Sequence, residues 1–270
     1  MQPKPGGLGS EYAAQFDDES IVAAYGARPP YPESLVTLIL DVAGVARPRL
    51  LDLGCGTGEL TRRLALHVDA IVAVDRSPRM IDAAKRMPGG DAAAIAWIVG
   101  EAETAPLTGP FDLALAAQSF HWFDWPRACA RIVDLVPTRR LALVEGRYEV
   151  ESPWGDALRG LFAQYSTNRA FEPYDLVDEL VSRGLFTTTD RARLGPERFT
   201  QSVDDYVQSM HSQNGFSLDR MTPESSRAFD AAVRALVMPH ARPLLDLQIE
   251  TRVTWGRVDG TQNLELRTQK

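Results

Sequence analysis

The stretch Leu50-Leu51-Asp52-Leu53-Gly54-Cys55-Gly56-Thr57-Gly58-Glu59-Leu60 leaves this chain few ways to fold. An apolar run breaks into three glycines at alternate positions, and leucines at helical spacing (Leu60, Leu64) begin at once. A strand, a tight turn and a helix N-terminus in that order build the nucleotide-binding corner of an α/β domain. Glycine lets the backbone approach a ligand and take positive φ, because it has no Cβ to clash. Asp52, two residues before the first glycine, belongs at the strand's mouth. A carboxylate there repels the pyrophosphate of a dinucleotide and attracts a cation. The spacing argues the same way, since the dinucleotide fingerprint puts a glycine at the sixth place, where this chain has Glu59.

With Asp52, Gly54, Gly56 and Gly58 in place, the stretch closely resembles the first motif of class I S-adenosylmethionine (SAM)-dependent methyltransferases: an acid, one residue, then Gly-x-Gly-x-Gly. The resemblance implies SAM as cofactor and S-adenosylhomocysteine as product. It places Asp52 and the glycines at the methionine end of SAM.

The following segments extend both readings. Ala70-Ile71-Val72-Ala73-Val74 is a short apolar run that fits a buried parallel strand. It ends at Asp75, 21 residues after Gly54, the distance at which a strand–helix–strand unit delivers a carboxylate to a ribose diol. Ser77 and Pro78 supply a cap and a first-turn proline for the next helix, which leaves Asp75 for a ligand. In the resembling family, the positions of Arg76 and Met80 flank the adenosine. The turn Glu101-Ala102-Glu103 followed by Pro106 resembles the family's adenine-side loop, with Glu101 in place of a shorter acid.

After the expected fourth strand, Phe111–Ala117, comes Gln118-Ser119-Phe120-His121-Trp122-Phe123-Asp124. Enzymes that methylate amino groups of nucleic acids carry an Asn- or Asp-Pro-Pro-aromatic step here, which this chain lacks. The aromatic run instead resembles small-molecule methyltransferases of the trans-aconitate type. Gln118 is placed against the cofactor. His121 is either a general base working near neutral pH or a residue that orders the aromatic loop. Upstream, Tyr25 and Arg28 open a proline-rich segment, Tyr25-Gly26-Ala27-Arg28-Pro29-Pro30-Tyr31-Pro32. In related enzymes a similar segment closes over SAM and the acceptor.

The alternation of strands and helices from Leu50 to Glu145 predicts a doubly wound, mostly parallel α/β sheet. The family implies seven strands, the last antiparallel between the fifth and sixth, with an N-terminal helical segment and a helical lid. Residues 1–45 form the lead-in, 46–150 the SAM-binding core, and 151–270 complete the core around an inserted cap. Met1–Ser10 reads as a disordered leader. A helix to Gly26 would carry Phe16, Ile21 and Val22 on its apolar side. The helix from Pro78 would bury Met80, Ala84 and Met87. Trp154, Tyr165, Phe171, Tyr174, Tyr206, Met210, His211 and Phe216 are candidate walls of an acceptor pocket.

Composition narrows the partners. A net charge of −7 across 270 residues, with no basic run beyond Arg139-Arg140, argues against nucleic acid held through its phosphates. No stretch approaches the roughly 20 apolar residues of a bilayer span, so a cytoplasmic location is the default. Two cysteines, Cys55 and Cys129, make no disulfide framework, and the four dispersed histidines give a metal site little support. Cys55 is read as a small wall residue with no neighbour to activate it. The function expected is methyl transfer to a small organic acceptor, with O-methylation of a carboxylate or hydroxyl favoured. The alternatives are a nicotinamide-dependent oxidoreductase, which Asp75 would also suit, and a catalytically silent SAM-binding scaffold. The sequence leaves the acceptor's identity and the oligomeric state open.

Overall fold

The computed structural model describes residues 3–150 and 152–259. Its strands are β1 (Arg49–Leu53), β2 (Ala70–Asp75), β3 (Ile95–Val99), β4 (Leu113–Ala117), β5 (Arg140–Val150), β6 (Phe186–Gln201) and β7 (Leu245–Val258). They form one seven-stranded sheet in the order β3-β2-β1-β4-β5-β7-β6. β1 pairs in parallel with β2 and β4, β2 with β3, and β4 with β5. β7 runs antiparallel: Val258 N–H donates to Arg139 and Thr254 to Glu145, so β7 descends as β5 rises. The expected doubly wound, mostly parallel sheet is therefore present.

The helices are α1 (Ser10–Ala13), α2 (Glu19–Ala24), α3 (Glu33–Ala43), α4 (Glu59–Leu64), α5 (Pro78–Arg86), α6 (Trp125–Leu135), α7 (Gly155–Tyr165), α8 (Leu176–Ser182), α9 (Val203–Met210) and α10 (Pro223–Val237). Their starts follow local chemistry. Ser77, Asp124, Asp175, Ser202 and Thr222 each accept a backbone N–H at a helix N-terminus, satisfying one of the orphan donors there. Prolines follow the caps of α5, α6 and α10. At Ser202–Asp205 the serine hydroxyl both accepts the Asp205 N–H and donates to the Asp205 carboxylate.

The chain divides into two compact units. One comprises Tyr31–Gly146, Tyr174–Leu194 and the residues from Thr251 onward. Its core joins Leu35 and Ile39 of α3, Leu60 and Leu64 of α4, and the inward residues of the central strands. The other comprises the residues up to Pro30, Arg147–Pro173 and Gly195–Glu250. Its core is aromatic, with Phe216 stacked on Phe229 at 4.9 Å and Trp154 edge-on to Tyr206 at 6.1 Å.

Several sequence expectations are corrected. The N-terminal leader is ordered from Pro3 on (Met1 and Gln2 lie outside the described residues). Asn168 donates to Gly7 O, Glu172 N–H to Gly6 O, Asn214 to Tyr12 O and Gly215 N–H to Gln15, and Arg220 makes a two-pronged ion pair with Asp18. A Pro- and Gly-rich composition hid these partners because they stand far away in the sequence. The single helix expected before Gly26 is broken by 3-10 turns at Ala14–Asp17 and Tyr25–Ala27. Met87 falls past the end of α5 and is exposed. β6, which the sequence announces only at its start (Leu185–Thr189), runs as far as Gln201. It is mostly polar and lies at the sheet edge, so no apolar run announced it. Of the proposed pocket walls, Trp154, Tyr206, Met210 and Phe216 belong to the aromatic core and Phe171 is exposed.

Candidate cofactor site

Within the first unit, parallel pairing sets Asp52 beside Ala73 and Leu53 beside Val74. The C-terminal ends of β1 and β2 therefore lie next to each other, with a carboxylate on each. Ligands of open α/β sheets bind at these ends.

Between them runs the glycine turn. Gly54, Gly56 and Gly58 have φ of 71°, 55° and 70°, all in the left-handed region that disfavours a Cβ. Two of the three glycines also answer to packing. A Cβ on Gly54 would stand 2.4 Å from Ser119 Cβ, and one on Gly58 would stand 2.3 Å from the Trp97 ring. The turn hangs from β2, because Gly54 and Cys55 both donate to Val74 O, at 2.8 and 3.0 Å. Glu59, which breaks the dinucleotide pattern, accepts the Tyr31 N–H at 2.7 Å.

Asp52 is only 2% exposed. Thr61, on the buried face of α4, donates its hydroxyl to Asp52 Oδ2 at 2.5 Å. Oδ1 is shut off from solvent and has no hydrogen-bond partner among the described residues. Burial, aided by the charge of Asp75 and opposed by the Thr61 hydrogen bond, pushes the Asp52 carboxyl up to about 7. A buried acceptor oxygen without a donor is uncommon in folded proteins. A ligand group that carries a positive charge and N–H donors, such as the aminoacyl end of SAM, suits it.

Asp75 is already engaged by the turn, which the sequence did not foresee. Its Oδ2 accepts the Gly56 N–H at 2.8 Å and its Oδ1 the Ser77 N–H at 2.9 Å. Ser77 does cap α5, through Met80 N–H. However, the end of β2 faces turn N–H groups that need acceptors, and Asp75 serves two of them. A carboxylate has roughly four acceptor sites, and two of these are spent holding the loop.

The remaining expected residues are distributed unevenly. Arg76 is exposed, while Met80 is 1% exposed and faces the interior. Glu101 is exposed and Ala102 buried. Glu103 accepts the Asp124 N–H at 2.6 Å, fastening the turn at 101–103 to the start of α6. Gln118, at the end of β4, has φ of 56°, an uncommon conformation for a non-glycine residue. Ser119 follows and donates to Leu53 O at 2.6 Å, tying this loop to β1. His121 sits in the 3-10 turn Phe120–Trp122 with its ring 4.6 Å from that of Trp122. Tyr25 and Arg28 belong to the second unit. There the Arg28 guanidinium lies 4.0 Å from the Tyr25 ring centroid and donates to Ser212.

Thr61 and Trp97 were not singled out in the sequence, and Ser119 only as one member of the run that begins at Gln118. Thr61 had a signal, a polar residue three before Leu64 on the buried face of α4. Ser119 and Trp97 had none, because only the fold brings them to the glycines. The Cys55 thiol is pushed well above its ordinary value by burial and by Asp75 and Asp52, and burial takes Cys129 up to about 12. Neither thiol is poised as a nucleophile. Among the described residues, no three His, Cys, Asp or Glu side chains gather as a metal-ligand set, and no helix is long and apolar enough to cross a membrane.

Residues 50–137 match the family described as methyltransferase domain. An uncharacterized methyltransferase of Mycobacterium tuberculosis is 38% identical over 138 residues, covering 50% of this chain and 54% of that protein. A malonyl-[acyl-carrier protein] O-methyltransferase of Anoxybacillus flavithermus is 38% identical over 80 residues, covering 29% of this chain and 30% of that one. The chain thus spans about half the length, or less, of these curated relatives. A solved structure from Anaeromyxobacter dehalogenans, described as a type II methyltransferase, superposes with a TM-score of 0.59 at 23% identity, covering 85% of this chain and 97% of the other. It shares the fold.

Proposed function

Because residues 50–137 of this chain are a class I SAM-dependent methyltransferase domain, we propose that the protein transfers a methyl group from SAM to an oxygen of a small organic acceptor. The observation that carries this reading is the pair of carboxylates at the ends of β1 and β2, with a positive-φ glycine turn between them and a buried Asp52 oxygen that has no donor among the described residues. When bound, SAM supplies a methyl group already activated by its sulfonium.

The chain's own residues then have three tasks. Asp52 Oδ1 receives a donor from the aminoacyl end, and Asp75 holds the Gly56 N–H while offering acceptor capacity to the ribose. The turn at Glu101, Ala102 and Glu103, with Arg76 and Met80, borders the adenine in this reading. Gln118 and the aromatic run after it border the methyl group. A hydroxyl acceptor must also lose a proton, for which the His121 imidazole is the candidate base; a carboxylate needs no base. Most of the acceleration required is alignment of the reacting atoms and exclusion of water. The preference for oxygen draws on the name of the Anoxybacillus relative and on the trans-aconitate-type character of Gln118–Asp124.

Calorimetric titration with SAM, S-adenosylhomocysteine and NADH is the first test, followed by release of S-adenosylhomocysteine over a panel of hydroxyl and carboxylate acceptors. The expected result is binding of the first two ligands only, with turnover on oxygen acceptors. Binding of NADH instead would overturn the reading in favour of a nicotinamide enzyme. Binding of SAM with no turnover would favour a silent scaffold.

A further inference from the structure

Within the first unit, β4 lies between β1 and β5 in the sheet. Where it ends, the chain is pinned to both neighbours within two residues. Gln118 N–H donates to Val144 O of β5 at 2.9 Å, continuing the ladder that pairs Ala117 with Val144. Ser119 already reaches the other way, its hydroxyl donating to Leu53 O of β1 at 2.6 Å. To serve both strands the backbone turns sharply at Gln118, whose φ of 56° lies in the left-handed region. A residue with a Cβ is strained there, and such strain persists only where the surroundings over-determine it. Here the two hydrogen bonds do so.

Ser119 is buried. Its Cβ fills the space that a side chain on Gly54 would need, and the Phe123 ring closes the same space. Its carbonyl accepts the Trp122 N–H at 3.0 Å, at the 3-10 turn that carries His121. Phe120 O in that turn accepts the Trp125 indole at 3.0 Å, which ties the turn to α6. One small side chain therefore joins the mouth of β1, the first glycine of the turn and the start of the segment after β4. An alanine would fill the same volume over Gly54. Only a hydroxyl reaches Leu53 O, so packing alone does not account for the serine.

We propose that Ser119 is a positioning residue for the methyl donor: its hydrogen bond to Leu53 O holds Gln118 in the strained conformation and fixes the segment after β4 against the glycine turn. This inference rests on the methyltransferase reading and deepens it, because in that reading Gln118 borders the methyl group while Asp52 and Asp75 take other parts of SAM. Without the hydroxyl, Gln118 relaxes toward an ordinary backbone and the segment shifts from the mouth of β1. What is lost is the fit around the sulfonium methyl. The ribose and aminoacyl contacts, which other residues make, remain.

Calorimetric titration of the full chain with SAM and with S-adenosylhomocysteine tests it, since the product differs from the donor only in lacking the methyl and its charge. Ser119→Ala should weaken SAM about fivefold, roughly one hydrogen bond's worth, and change S-adenosylhomocysteine by less than about twofold. In the same variant, hydrogen–deuterium exchange without ligand should quicken across residues 118–123 and stay as it was in α3 and α4. Ser119→Cys, a weaker donor of nearly the same shape, should fall between wild type and alanine in both measurements. It carries the test alone if Ser119→Ala does not fold. A merely structural serine would lower both affinities by one factor. The proposal is overturned by that equal loss, by no change in either affinity, or by unaltered exchange at 118–123. A wild-type protein that binds neither ligand removes the methyltransferase reading, whereas wild-type binding with an unmoved ratio of the two affinities in the variants removes only the role of Ser119.

Discussion

Thr61 Oγ1 lies 2.5 Å from Asp52 Oδ2, and this one hydrogen bond decides which oxygen of Asp52 is left for a ligand. Helix α4 brings the threonine over the end of β1, and the hydroxyl occupies one side of a carboxylate already removed from water. Thr61→Val keeps the shape and removes the donor. A buried carboxylate that loses its hydrogen bond gives up roughly 1–3 kcal/mol, so the variant should unfold at a lower urea concentration. SAM affinity should also fall, since the unsupported carboxyl is harder to ionise. An unchanged denaturation midpoint would show that the contact contributes nothing.

The pH dependence of the Asp52 contribution has a definite sign. Its carboxyl is raised to about 7 in the folded chain, above the ordinary 3.8. Between those values the folded state holds a proton that the unfolded state has lost, so this group's contribution falls as pH rises through the window. The full span is worth roughly 4 kcal/mol. Asp52→Asn removes the dependence. The variant should match wild type in stability at about pH 4 and exceed it at pH 8, as measured by urea unfolding across that range. Parallel curves would contradict the assignment.

SAM binding should be coupled to the same proton. A cation beside Asp52 favours its charged form, so at about pH 6 binding should release a proton. Calorimetric heats should then vary with the ionisation enthalpy of the buffer. In Asp52→Asn this buffer dependence should vanish and affinity should drop. Equal heats in all buffers for the wild-type protein would place the cation elsewhere.

Asp75→Ala removes the acceptor that holds the Gly56 N–H and, in the proposed function, the ribose. Charge-assisted hydrogen bonds are worth roughly 1.5–3 kcal/mol each. SAM affinity should therefore weaken at least tenfold. Asp75→Asn keeps an acceptor oxygen and should retain part of the affinity. Wild-type affinity in the alanine variant would tell against the ribose assignment.

Gly58→Ala sets a Cβ against the Trp97 ring at 2.3 Å, on a backbone with φ of 70°. Left-handed backbone costs an L-residue roughly 1–2 kcal/mol, and overpacking adds roughly 1–3 kcal/mol. A clear fall in thermal midpoint is expected. Trp97→Leu in the same chain should restore the overpacking part and leave the backbone part. No restoration at all would mean that the ring is not what the glycine avoids.

What the chain settled by itself was local. The glycine run had to be a turn, because alternate glycines following an apolar strand leave no other economical backbone. Ser77-Pro78, Ser202–Asp205 and Thr222-Pro223 had to start helices, because capping chemistry acts within four residues. The alternation of buried strands and amphipathic helices then admitted little besides a parallel α/β sheet. Tertiary structure decided how each polar group is spent. It gave Asp75 to the backbone of the glycine turn, Glu103 to Asp124, and Thr61 to Asp52. Among the described residues it left single oxygens of Asp52 and Glu149 without partners, and it ordered an N-terminal segment whose composition suggested disorder. The reason is range. Turns and caps are fixed by neighbours in sequence, whereas a hydrogen bond between residues from 9 to 202 positions apart exists only once the tertiary fold has brought them together.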